Sequence, residues 1–80
     1  MLMKREPLRY NQTIVYRCAF SLTRDVPDQD REQGPYWSKV IDIGDTAVQV
    51  RTDGMHGTAP RFLVFISDIV EVLPTIQDDL

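Results

Sequence analysis

The chain has almost no cysteine or histidine. Cys18 and His56 are the only examples of either. One cysteine excludes an internal disulfide. One Cys and one His cannot supply a four-ligand zinc site of N and S donors. No apolar run approaches the ~20 residues of a membrane-spanning helix, so no membrane role is expected. Basic charge is also scarce: nine Lys and Arg stand against twelve Asp and Glu, for a net charge of −3. Non-specific nucleic-acid binding rests on basic groups that neutralise phosphates. The overall balance therefore disfavours that function but permits a local basic patch. One cysteine and no apolar run behind Met1–Pro7 favour a reducing, cytoplasmic setting.

What is present is a chain of 80 residues, enough for one domain. A domain this small buries only about 60% of the surface its unfolded chain exposes. Self-association is the most economical way to bury more, so a homo-oligomer is expected.

Residues 1–11 are polar, with Pro7 breaking any long helix. They read as an arm with a short helix or turn, in which Leu8 and Tyr10 would anchor to the domain. Thr13 to Leu22 alternates at period two: Ile14, Tyr16, Cys18, Phe20 and Leu22 share one parity, the signature of a half-buried strand. Thr23 to Pro35, rich in Pro, Gly and Asp, reads as a long loop. Tyr36 to Ile43 reads as a second strand, with Trp37, Ile41 and Ile43 of one parity and Lys39 between them. Gly44-Asp45 supplies a hairpin turn. Thr46 to Thr52 follows as a third strand, with Val48 and Val50 on one face and Ala47, Gln49 and Arg51 on the other. Asp53 to Pro60 is a connection. Arg61 to Ile66 is a short apolar run read as a central strand buried on both faces. Ser67-Asp68 turns the chain into a last strand, Ile69 to Leu73, which Pro74 stops. Residues 75–80 read as a tail. The expected domain is 12–74, all-β, with five strands curled into a closed barrel around Cys18 and Phe20.

Two segments resemble Sm-like proteins within the wider SH3-like class of small barrels. Gly34, followed by Trp37-Ser38-Lys39-Val40-Ile41-Asp42-Ile43-Gly44-Asp45, resembles the first Sm motif, where a Gly precedes a strand, an Asp and a hairpin turn. Phe65-Ile66-Ser67-Asp68-Ile69-Val70-Glu71-Val72 is similar to the second motif, a strand, a two-residue break and a closing strand. The same ending resembles YolD-like and WYL small barrels. The resemblance implies a five-stranded SH3-like or Sm-like barrel that often assembles into rings. Of the Sm uridine pocket only Asp42 carries over. Residues 34–52 hold no Asn, and Ser67-Asp68 stands where the motif has Arg-Gly.

Catalytic chemistry has little to rest on. His56 lies in a Gly-flanked connection with no nucleophile at useful spacing, and reads as a loop residue. Cys18, on the apolar parity, reads as an inert core thiol. Asp25, Asp28, Asp30 and Glu32 lack the flanking helices and spacing of a calcium loop and read as solvated charge. Asp53-Gly54 and Gly57 lack the lysine and helix of a phosphate loop. No catalytic, cofactor or metal residues are assigned, and no enzyme is expected. Arg17, Lys39 and Arg51 could form one basic patch if the first three strands are neighbours. Tyr36 and Trp37 beside it would stack on single-stranded nucleic acid. The competing reading makes these ordinary surface residues and puts Trp37 in the core. The last strand and the exposed edge of the first are candidate docking edges. The expected function is a non-enzymatic binding or assembly module, self-associating or docking a protein partner. The alternative is a nucleic-acid-binding barrel that recognises single-stranded RNA or DNA through Arg17, Tyr36, Trp37, Lys39 and Arg51.

Overall fold

The computed structural model describes residues 8–52 and 59–74. Among them are six strands: β1 (Thr13–Tyr16), β2 (Phe20–Ser21), β3 (Tyr36–Ile43), β4 (Ala47–Arg51), β5 (Arg61–Phe65) and β6 (Ile69–Val72). A 3-10 turn, Ile66–Asp68, joins β5 to β6. All pairings are antiparallel, in one sheet of order β2-β5-β4-β3-β1-β6. The protein is all-β, as expected.

The expected closed five-stranded barrel is not what forms. The first predicted strand is divided in two, and β2 and β6 are the edges of an open sheet. The sheet is nevertheless strongly curled. Tyr16 and Phe20 are four residues apart, a reach of at most about 14 Å. In a flat sheet β1 and β2, four strand positions apart, would be about 19 Å from each other. The short link therefore draws one end of the sheet toward the other. The first strand is also not an edge, because β1 lies between β3 and β6.

Period-two burial holds in a strand that alternates in sequence and in one that is a continuous apolar run. In β4 and β5 the inward residues are Val48, Val50, Phe62 and Val64. They meet Ile14, Tyr16, Ala19 and Val40 in the core. Three expectations about parity fail, each for a local reason. The chain bends at Arg17–Cys18, and burial passes to Ala19 while Phe20 and Leu22 turn outward. A one-residue slip moves every following side chain to the other face. Cys18 is consequently half-buried and Phe20 exposed, so neither occupies the predicted interior. In β3, Ser38 and Val40 point inward and Trp37 outward; a register shift between Val40 and Asp42 then brings Ile43 against the core. Finally, β5 is covered on one face only, with Arg61 and Phe65 exposed.

The hairpin turn sits one residue later than predicted. Gly44 N donates to Ala47 O at 2.9 Å, which places Asp45 and Thr46 at the tip. Leu8 packs on the core as expected, whereas Tyr10 is exposed. Arg9 to Gln12 form a turn, closed by Gln12 N donating to Arg9 O at 3.3 Å, in which Asn11 takes φ 67°, a left-handed conformation Asn tolerates. Gly34 is required by close approach: a Cβ there would lie 2.6 Å from Arg17 O. The predicted arm before Leu8 and the tail after Pro74 lie outside the described residues.

Tyr16 ties the long loop to the sheet. Its hydroxyl donates to Gln29 Oε1 at 2.7 Å and shares a second hydrogen bond with Ser38 Oγ at 2.8 Å. Its ring stacks on Tyr36, whose hydroxyl donates to Asp30 O. A backbone bridge between Ala19 and Gln29 completes the attachment. Burial pushes the Tyr16 phenol above its ordinary value, against the opposing pull of Ser38 and Gln29, with a smaller upward push from Tyr36. The unfolded chain ionises Tyr16 near pH 10, whereas the fold keeps the proton to higher pH. Its contribution is therefore intact below about pH 10 and lost as pH climbs through the folded value. Tyr16→Phe should cost about 1–3 kcal/mol at neutral pH, because Ser38 and Gln29 lose a buried partner. The same variant should show a shallower fall in melting temperature above about pH 10 than the wild type. Thermal denaturation followed by circular dichroism across that range checks both.

Candidate functional site

The outward side chains of β3, β4 and β5 bring three cations into register. Lys39 pairs with Arg51, and Arg51 with Arg61. All three are exposed. Thr13 of β1 continues the row beside Lys39. Two residues before Lys39 on the same face stands Trp37, 66% exposed and paired with Val15. The alternative that buried Trp37 in the core is thereby corrected: Ser38 takes the inward place.

Thr13, Trp37, Ser38, Lys39, Arg51 and Thr52 line a groove of about 320 Å³. On its other side Trp37 borders a smaller hollow of about 190 Å³, with Gln29, Pro35 and Tyr36. Trp37 thus forms a wall between the two.

Of the five predicted surface residues, Trp37, Lys39 and Arg51 come together. Tyr36 is adjacent but half-buried, held by its stacking on Tyr16 and its hydrogen bond to the loop. Arg17 does not join them. It lies beyond the last β1–β3 pair, Tyr16 with Tyr36, and its backbone N donates to Asp68 O. Arg61 was not anticipated. Its signal was position: Arg51 ends one strand and Arg61 begins the next, and antiparallel pairing of the two sets them opposite each other.

Like charges directly opposed across strands destabilise a sheet. Among the described residues the only ion pair is Arg31–Asp68, at 3.2 Å. None of the three aligned cations has a carboxylate within ion-pair distance among those residues. Two carboxylates share this outer face: Asp42, in register with Gln49, and Glu71, in register with Val15. Asp42 is exposed, with neither the Asn nor the Arg-Gly partners of an Sm pocket near it in the sequence.

A separate apolar cluster lies on the outer face at the β2 end. Phe20, Leu22 and Phe65 are 51%, 42% and 39% exposed. Phe20 and Phe65 meet edge to face, ring centres 5.8 Å apart. The period-two pattern by itself puts Phe20 inside, because the break at Cys18 leaves no mark in it.

Cys18 faces the loop. Its thiol donates weakly to Asp68 Oδ2 at 3.5 Å, and the Arg31 guanidinium lies 3.7 Å from the sulfur. Desolvation pushes the thiol upward, and the Asp68 carboxylate adds to this against the opposing Arg31 charge. The acidic loop is tied down: Asp28 accepts from Ser21 N at 2.7 Å, and Asp25 takes a left-handed φ of 66°. Among the described residues no group of three or more His, Cys, Asp or Glu is arranged to hold a metal. His56, Asp53-Gly54 and Gly57 lie outside those residues. No helix among them is long and apolar enough to cross a membrane.

Cys18 should react with a disulfide reagent at neutral pH more slowly than a free cysteine. Asp68→Asn should speed the reaction a few-fold, and Arg31→Gln should slow it. Stopped-flow thiol titration measures all three. Comparison with protein-family models, with curated proteins and with solved structures finds no match.

Proposed function

We propose that this chain is a non-enzymatic binding module and that its outer sheet face takes single-stranded nucleic acid. One observation carries the choice of ligand: Trp37 is exposed on the same face as Lys39 and Arg51, and the three line one groove. An aromatic platform beside aligned positive charge suits a single strand, whose bases offer a π-face and whose phosphates offer charge. The net charge of −3 opposes a polyanion at long range but permits a local contact of this kind, since phosphates meet the cations of one face. The curl of the sheet, and the 3-10 turn before its last strand, support reading the scaffold as an SH3-like or Sm-like small barrel left open.

Trp37 is the only tryptophan, so its fluorescence reports on the site directly. Titration with single-stranded RNA and DNA at low salt should quench it, with micromolar affinity or better. Trp37→Ala, followed through a labelled oligonucleotide, should weaken binding roughly 5- to 150-fold, the range of one lost base stack. Absence of binding in the micromolar range at low salt would refute the proposal, since low salt favours electrostatic association.

The Phe20–Leu22–Phe65 cluster favours a second reading, protein docking or self-association through the β2 end. Light scattering at rising concentration should then show association that Phe65→Ser reduces. A strict monomer at high concentration counts against self-association.

A further inference from the structure

We propose, building on the nucleic-acid reading, that the strand crosses the sheet at right angles to β3, β4 and β5. It runs from Trp37 toward Arg61 and away from β6. The register supplies the path. Lys39, Arg51 and Arg61 occupy three adjacent strands in one line, which spans about 10 Å at the usual interstrand spacing. Trp37 stands one outward row from this line, at its β3 end. A base stacked there leaves its backbone over Lys39, and the following phosphates meet Arg51 and then Arg61.

The opposite direction is closed by charge. From Trp37 toward the β6 edge the same row passes Val15 and reaches Glu71, an exposed carboxylate. Asp42 flanks the cation line on its other side, one outward row from Arg51 and beside Gln49. The cations in register on this face therefore form a stripe across three strands, with Asp42 on one flank and Glu71 toward β6. A duplex keeps its base faces inside its own stack and would use the stripe without Trp37, so the favoured ligand class is a single strand. An anion along the stripe also relieves the repulsion of the aligned cations, so binding should stabilise the fold.

The test uses the full chain and a labelled oligothymidylate of about ten nucleotides, within the usual range of single-strand sites. Three phosphate contacts give a slope of log affinity against log salt of about −2, at about −0.7 per contact. Arg61→Gln should flatten that slope to about −1.4 and weaken low-salt binding several-fold, while Arg61→Lys restores it. Glu71→Gln should leave affinity within about twofold. Circular dichroism should show these three variants and Trp37→Ala folded. If Trp37→Ala weakens binding but Arg61→Gln does not, the path is wrong while the binding function stands. If Glu71→Gln tightens binding more than Arg61→Gln weakens it, the strand runs toward β6 and the proposal falls. Equal affinity for a duplex of the same length overturns the single-strand assignment. No binding by the wild type removes the underlying function itself.

Discussion

Three residues, Arg17 to Ala19, carry the chain from one side of the sheet to the other, and the architecture depends on that short link. A link so brief cannot span four flat strand positions, so the sheet has to curl. Tyr16 secures the curl from within. Its ring fills the core beside Ile14 and Val40, and its hydroxyl reaches both β3, through Ser38, and the loop, through Gln29. A buried hydroxyl with two partners is costly to disturb, because desolvation is repaid only while the hydrogen bonds hold. Sheet and loop are thereby held as one unit in a chain with no disulfide and a modest core.

The curl also creates two unlike surfaces. The inner one is apolar and filled by residues of alternate parity from β1, β3, β4 and β5. On the outer one, register alone aligns Lys39, Arg51 and Arg61, although they are far apart in sequence. Alignment of like charges works against stability, whereas the same arrangement favours an anionic ligand. Its position next to the exposed indole of Trp37 gives the outer face both charge and a stacking surface, the combination on which the nucleic-acid reading depends. The aromatic pair Phe20–Phe65 lies elsewhere on that face, so the two binding readings use different residues and do not compete for them.

Much of this was legible in the residues. Tyr36 to Ile43 as a strand, the inward valines of β4 and the turn at Ser67-Asp68 followed from period and turn chemistry. Trp37, Lys39 and Arg51 were identifiable as a potential patch because parity along neighbouring strands constrains which side chains meet. The failures lie where a local change of phase leaves no trace in the residues. Cys18, Phe20 and Leu22 continue the parity of Ile14 and Tyr16 in the sequence, yet a bend between Arg17 and Ala19 shifts the phase by one. Nothing in the hydrophobic pattern records a bend without Pro or Gly. The β3 irregularity near Ile41 is equally silent, since Val40 and Ile41 are both apolar β-formers.

The order of residues by itself determined the all-β class, the positions of most strands and the lack of a disulfide framework, because these follow from local periodicity and residue inventory. Tertiary structure alone decided which strands are neighbours. It placed β1 in the interior of the sheet order and β2 at its edge, left the sheet open, set Arg61 opposite Arg51 and moved Arg17 away from the patch. Pairing between distant strands is chosen by the joint burial of their inward faces and the reach of the connecting segments, and neither quantity is written in any single stretch of chain.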